Sequence, residues 1–140
     1  MPQNITFHSE DVDFHLVNEK QIIKWLQNTI KNEGRTVSEL SYIFCSDDYL
    51  HKMNLEYLNH DTYTDIITFD YTEGSVVGGD IFISIDRVKE NALKFKTEFV
   101  NELSRVIVHG VLHLVGYKDK TNKEKELMRS KEDFYLILLS

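Results

Sequence analysis

His109-Gly110-Val111-Leu112-His113-Leu114-Val115-Gly116-Tyr117-Lys118-Asp119 is the stretch on which the reading of this chain turns. Val106, Ile107, Val108, Val111, Leu112, Leu114 and Val115 leave almost no polar face, so the segment reads as a helix running through the core. Two histidines four residues apart lie on one side of such a helix, about one turn from each other. Imidazoles in an apolar helix need partners, because unpaired buried polar groups cost free energy. A single cation at about 2.0–2.1 Å would satisfy both rings. Gly116 stands where the helix should stop, since glycine takes the left-handed C′ conformation without penalty. The reversal there brings Asp119 back beside the two rings as a third ligand.

The spacing His-x3-His-x2-Gly-x2-ligand is that of a metzincin zinc helix, with Asp119 in the third place. A lone pair of histidines at this spacing is more often explained by buried rings bonded to backbone. Gly116 and Asp119 at the matching offsets favour the metal. Three protein ligands leave a fourth position open, the mark of a catalytic rather than a structural site. Position 110 is glycine, where zinc peptidases carry the glutamate that serves as general base. That absence counts against a small zinc peptidase, which stays as the first rival reading.

At 140 residues the chain is expected to form one domain, residues 1–140, with a core that needs no disulfide. No apolar run approaches the roughly 18–20 residues of a membrane span. The opening Met1-Pro2-Gln3-Asn4 lacks the basic and apolar regions of a secretory leader. Cys45 is alone, so no internal disulfide forms and a reducing cytoplasm is the expected location. Set in an apolar strand, it reads as core rather than nucleophile. The net charge of −7 argues against indiscriminate nucleic-acid binding. Its distribution says more. Residues 1–86 hold 5 Lys/Arg against 15 Asp/Glu, a balance of −10, whereas residues 87–131 hold 11 against 6, a balance of +5. Lys118, Lys120, Lys123, Lys125, Arg129 and Lys131 crowd the turn after the histidines and the helix beyond it. A solvated helix face accounts for most such clusters. Beside a metal, the same charges suit a phosphate-bearing substrate.

Short β-rich runs at residues 5–8 and 12–17 predict two strands, or one strand and a turn. Asn18-Glu19-Lys20-Gln21 is a capping-box variant opening a helix to residue 32, with Ile22, Ile23, Trp25, Leu26 and Ile30 as its buried stripe and Gly34 beyond its end. Residues 37–45 read as a strand, and Ser46 caps a helix over 47–57. A polar loop fills 58–65, a short strand 66–69, a glycine-bearing turn 71–79 and a strand 80–85. Asp86 caps a helix to residue 95, Thr97 starts the central helix to 115, and Thr121-Asn122-Lys123-Glu124 is a capping box for a last helix to 139. The expected class is α+β: a small mixed sheet of about four strands covered by four or five helices, with the metal site on a central buried helix.

His109-Gly-Val-Leu-His-Leu-Val-Gly-Tyr117 resembles the signature of the YbeY family, metal-dependent bacterial endoribonucleases of ribosomal RNA maturation. Residues 54–61, Thr64-Asp-Ile-Ile-Thr-Phe69, Gly79-Asp-Ile-Phe-Ile-Ser84, Asn91-Ala92 and Glu102-Leu-x-Arg105 resemble its other blocks in the same order, over residues 54–131. The resemblance implies one zinc ion, with other divalent transition metals as alternatives, on His109, His113 and Asp119. The family's third ligand is usually histidine. It usually has an arginine, thought to act in catalysis, where this chain has Leu58; Lys118 or Arg105 are the candidates to substitute. Implied partners are single-stranded precursor ribosomal RNA and ribosomal proteins or the small ribosomal subunit, with no membrane. Lys118, Lys120, Lys123 and Arg105 are the candidate substrate contacts.

Two chemistries fit a site of this kind. Metal-activated water attacks phosphorus, or the metal polarises a phosphoryl oxygen while the ribose 2′-OH attacks. His60 and Asp61 are candidate proton carriers, though as loop residues they need no such role. Tyr57, Tyr63 and Tyr117 are candidates for stacking on unpaired bases, against ordinary packing. Gly78 and Gly79 hint weakly at a phosphate loop, against a turn. The second rival reading is a non-catalytic ribosome-assembly factor in which the metal pins the reversal.

Overall fold

Residues 4–139 are described by a computed structural model, in which nine elements follow one another. They are β1 (Ile5–Ser9), α1 (Glu19–Asn32), β2 (Thr36–Cys45), α2 (Asp47–Leu58), β3 (Ile66–Asp70), β4 (Val76–Ser84), α3 (Ile85–Lys94), α4 (Phe99–Leu114) and α5 (Asn122–Leu139). Met1 to Gln3, read above for a leader, lie outside the described residues. The class is α+β, as expected. The sheet order is β1-β2-β4-β3, with β1, β2 and β4 parallel and β3 antiparallel to β4. Parallel neighbours need a crossover, and α1 supplies the one between β1 and β2. No helix among the described residues is long and apolar enough to cross a membrane.

The predicted stripe of α1 is the one that is buried: Ile22, Ile23, Trp25, Leu26 and Ile30. Trp25 Nε1 donates to the Tyr135 carbonyl at 2.7 Å, tying α1 to α5. The cap of α1 differs from expectation. Asn18 sits at φ −114, ψ 51, away from the extended conformation of a good N-cap, and its side chain bonds Gln21 Oε1 at 3.2 Å instead of backbone. Ser46 caps α2 as expected, accepting from Tyr49 N at 3.1 Å. The capping box of α5 is complete: Glu124 N donates to Thr121 Oγ1 at 3.1 Å, and Thr121 N donates to Glu124 Oε1 at 2.9 Å. In α3 the cap is Ser84, not Asp86, whose carboxylate accepts from Asp47 N at 2.9 Å.

Residues 12–17 form no strand. Their alternation instead lays Val12, Phe14 and Leu16 against the core, with Phe14 meeting Phe44 and Phe99 edge-on. The glycine-bearing turn is shorter than 71–79, because β4 already starts at Val76 and includes Gly78 and Gly79. Neither glycine belongs to a phosphate loop. A Cβ at Gly79 would stand 2.4 Å from the Phe69 carbonyl oxygen, and one at Gly78 would stand 2.7 Å from Ser38 Oγ. Here glycine permits close approach of backbone and side chains across the sheet.

Helix α4 lies on this sheet. Leu103, Val106, Ile107, Val108, Val111, Leu112 and Leu114 are buried in the main core cluster with Tyr42, Ile81 and Ile83. The fully buried Tyr42 donates its hydroxyl to the Ile107 carbonyl at 2.7 Å, so the central strand and central helix share a polar tie as well as packing. Cys45 is buried, and its thiol is pushed up to about 12 by burial and then by Asp11, Asp86 and other nearby carboxylates, consistent with core and not with a nucleophile. Gly79→Ala should therefore force β3 away from β4 and cost about 1–3 kcal/mol by the usual penalty of overpacking. Urea unfolding measures this; a midpoint equal to that of the unmodified chain would show that the strands separate without cost.

Candidate metal centre

The site begins with Gly110. A Cβ there would lie 2.8 Å from Ile81 Cδ1 and 3.3 Å from Ile66 Cδ1. Glycine thus lets α4 sink onto the sheet, and it turns the neighbouring His109 towards a cleft of about 620 Å³. The cleft is walled by α4, α5, β3 and the loop before β3. The same packing settles one sequence question in physical terms: a glutamate at position 110 would point into the sheet.

Helix α4 ends in a Schellman reversal. Gly116 has φ +115, its N–H donates to His113 O at 3.1 Å, and Tyr117 N donates to Leu112 O at 3.0 Å. The turn between α1 and β2 holds that reversal from outside. Arg35 Nη2 donates to the Val115 carbonyl at 3.1 Å, and Tyr117 donates its hydroxyl to Glu33 Oε1 at 2.7 Å. The other Glu33 oxygen receives the Tyr135 hydroxyl. So fixed, the chain returns Asp119 to the cleft, with Oδ2 3.4 Å from His109 Nε2.

Two ligands of one tetrahedral zinc at about 2.0–2.1 Å are themselves about 3.3–3.4 Å apart, so this pair is spaced as the donor set requires. The far side of the ring is equally defined. His109 Nδ1 meets Glu132 Oε2 at 2.7 Å, while Glu132 Oε1 accepts from Arg105 Nη1 at 2.8 Å. A carboxylate at Nδ1 holds the proton there and leaves the Nε2 lone pair facing Asp119. Burial draws the His109 pKa down, but the hydrogen bond and charge of Glu132, with help from Asp119 and Asp65, outweigh it, and the net shift is upward. His113 is exposed and lines the same cleft one turn further on. Among the described residues, no three His, Cys, Asp or Glu side chains are gathered as a ligand group, so the assembled part of the site is the His109–Asp119 pair with Glu132 behind it.

Of the other sequence candidates, Arg105 lines the cleft but is held by Glu132 and by Asp133 Oδ1 at 2.5 Å. Lys118, Lys120 and Lys123 are exposed and do not line it. His60 does line it, whereas Asp61 is bonded to His51 Nε2 at 2.8 Å. Tyr63 is stacked on His51, Tyr57 lies edge-on to Phe69, and Tyr117 is bonded to Glu33. None of the three lines the cleft. Sequence reasoning missed Asp65 and Glu102, both in the cleft wall, and Glu132. Burial raises the Asp65 carboxyl despite the pull of His109, and raises Glu102 despite Arg105. The available signal was an acid set against apolar sequence: Asp65 immediately before the strand Ile66-Ile67, and Glu102 within the apolar α4.

Residues 4–140 match a family described as Endoribonuclease YbeY. A protein of Christiangramia forsetii with that description is 55% identical over 129 residues, covering 92% of this chain and 90% of its own. One from Cytophaga hutchinsonii is 53% identical over 137 residues, covering 97% and 96%. The solution structure of TM1509 from Thermotoga maritima is similar at TM-score 0.69 and 29% identity, over 96% of this chain and 88% of that one.

A pH dependence follows from the His109–Glu132 bond. Because the folded pKa lies above the ordinary 6.5, the protonated ring contributes stability that is complete below that value and is lost as pH rises through the folded one. Chemical denaturation of the metal-free protein should show this fall, and Glu132→Gln should flatten it. A variant that is uniformly less stable, with the slope retained, would mean that another group titrates.

Proposed function

Because the chain belongs to the YbeY endoribonuclease family, we propose that it cleaves single-stranded RNA in ribosomal RNA maturation and quality control, using one divalent ion, zinc foremost, on His109, His113 and Asp119. The observation that carries this reading is the approach of Asp119 Oδ2 to His109 Nε2 at 3.4 Å, with Glu132 on the opposite ring nitrogen. A carboxylate behind a ligating histidine sets its tautomer and raises its basicity. When bound, the metal supplies Lewis-acid polarisation and acidification of water near neutral pH.

The chain's own residues account for the rest. His109 Nε2 and Asp119 Oδ2, 3.4 Å apart, would supply a nitrogen and an oxygen donor, and His113, one helical turn on, would add a second nitrogen. Asp65 and Glu102, lifted by burial, are carboxyls able to hold or pass a proton within the cleft. They replace Asp61 in that role, since Asp61 is bonded to His51. Arg105 braces Glu132 and through it the His109 ring, a positioning rather than a substrate-binding task. Lys118, Lys120 and Lys123, exposed beside Asp119 in the chain, add a positive field for an approaching polyanion. Action in the cytoplasm on precursor ribosomal RNA, alongside proteins of the small subunit, completes the proposal. The peptidase reading has little support, because position 110 packs against Ile81 and Ile66 and leaves no place for a basic carboxylate.

His113→Ala should lower metal content at least tenfold and abolish cleavage of a single-stranded RNA oligonucleotide. Elemental analysis of freshly purified protein, paired with cleavage assays with and without chelator, measures both. Full cleavage by metal-free protein would overturn the reading. RNA binding without cleavage by metal-loaded protein would leave an assembly factor in its place. The product ends distinguish the nucleophile: a 2′,3′-cyclic phosphate reports attack by the ribose hydroxyl, a simple phosphate reports attack by water.

A further inference from the structure

The cleft poses an electrostatic problem for the reading above, on which this inference rests. Asp65, Glu102, Asp119 and Glu132 all line it, so its fixed charge repels a nucleic-acid backbone. Apart from its histidines, its cationic lining consists of Arg105 and Arg129. Arg105 is committed, with one Nη on Glu132 at 2.8 Å and the other on Asp133 at 2.5 Å. Arg129 is not. It stands three residues before Glu132 on α5, hence on the same face, it is exposed, and no hydrogen bond or ion pair to it is found among the described residues. Its positive charge is nevertheless felt inside the cleft, where it counteracts the rise of the Glu102 carboxyl.

From this geometry we infer that Arg129 is the substrate-binding cation of the cleft and takes a backbone phosphate of single-stranded RNA on its guanidinium. A planar fork of donors fits two phosphate oxygens at once, which a lysine cannot reproduce. Arg129 and the His109–Asp119 pair border one cleft of about 620 Å³ and approach it from different helices. A strand laid through the cleft is therefore gripped at one phosphate by α5 while another reaches the α4 histidines. The lysines after Gly116 lie outside the cleft and attract RNA without registering it.

The test compares Arg129→Gln, Arg129→Lys and, as a surface control on the same helix, Lys125→Gln. The readout is binding of a fluorescent single-stranded RNA oligonucleotide across a salt series. One phosphate contact on a single strand accounts for a slope of about 0.7 in log K against log salt. Arg129→Gln should reduce the slope by about that amount and weaken binding about tenfold, with metal content and unfolding temperature unchanged. Arg129→Lys should keep the slope and lose part of the affinity. In cleavage, KM should rise while kcat holds. An unmoved slope in Arg129→Gln, or the same change in Lys125→Gln, overturns the inference. If the unmodified chain binds RNA with the Arg129-dependent slope but never cleaves it, the nuclease reading fails and this one stands. If it cleaves RNA and the slope ignores Arg129, this one fails alone. If it does not bind RNA, both fail.

Discussion

Glu132 is the interaction on which the site depends. It is a nearly buried carboxylate, 8% exposed, that receives Arg105 on one oxygen and His109 on the other. A charge in that position is tolerable only when paired, and removing one partner of a buried pair typically costs about 3–5 kcal/mol. The pairing also dictates chemistry. With Nδ1 occupied, His109 has one nitrogen left, and it faces Asp119. A hydrogen bond between α5 and α4 thus decides the tautomer of the neutral ring and the direction of its lone pair. Stability and the orientation of the His109 ring are fixed by the same contact.

That contact requires both helices to be held relative to the sheet, and two devices do so. On the inner side, Gly110 removes the one side chain that would hold α4 off Ile81, and Tyr42 bonds the helix backbone directly. On the outer side, Glu33 and Arg35 grip the reversal between α4 and α5 through Tyr117, Tyr135 and the Val115 carbonyl. The second device is far from the cleft in sequence. Residues 33–35 precede the histidines by more than seventy positions, yet they govern where Asp119 arrives. Loss of that grip would act on the His109–Asp119 pair without touching it.

Much of this was legible beforehand, and the parts that were not have a common cause. Periodicity identified the stripe of α1 and the apolar wrapping of α4, because those patterns are local. The left-handed turn at Gly116 was legible because glycine spacing after an apolar helix has few other meanings. Asp119 could be proposed because the reversal is only a few residues long. Glu132 was not, since it comes from a different helix and looks in sequence like any acid on a charged face. Gly78 and Gly79 were misread as part of a turn because sequence cannot separate glycine that bends a chain from glycine that admits a neighbour. Here the neighbours are the Phe69 carbonyl and Ser38 Oγ. Asn18 had the residue type of a cap without the backbone angles, which no pattern of residues discloses.

The basic character of residues 87–131 suggested that substrate contacts would cluster beside the metal, on the lysines of the turn. In three dimensions the cations of that region that stand in ion pairs are spent on architecture: Arg105 on Glu132 and Asp133, Arg87 on Asp47, Lys131 near Glu33. Structural pairing therefore consumes the cations best placed to be rigid and leaves the solvated ones for long-range attraction. A cleft lined with four carboxylates opposes a polyanion unless cations offset them, and Arg129 is the lining guanidinium without an ion pair among the described residues. Counting charges along the chain describes the approach of a substrate; only the pairing of those charges describes its binding.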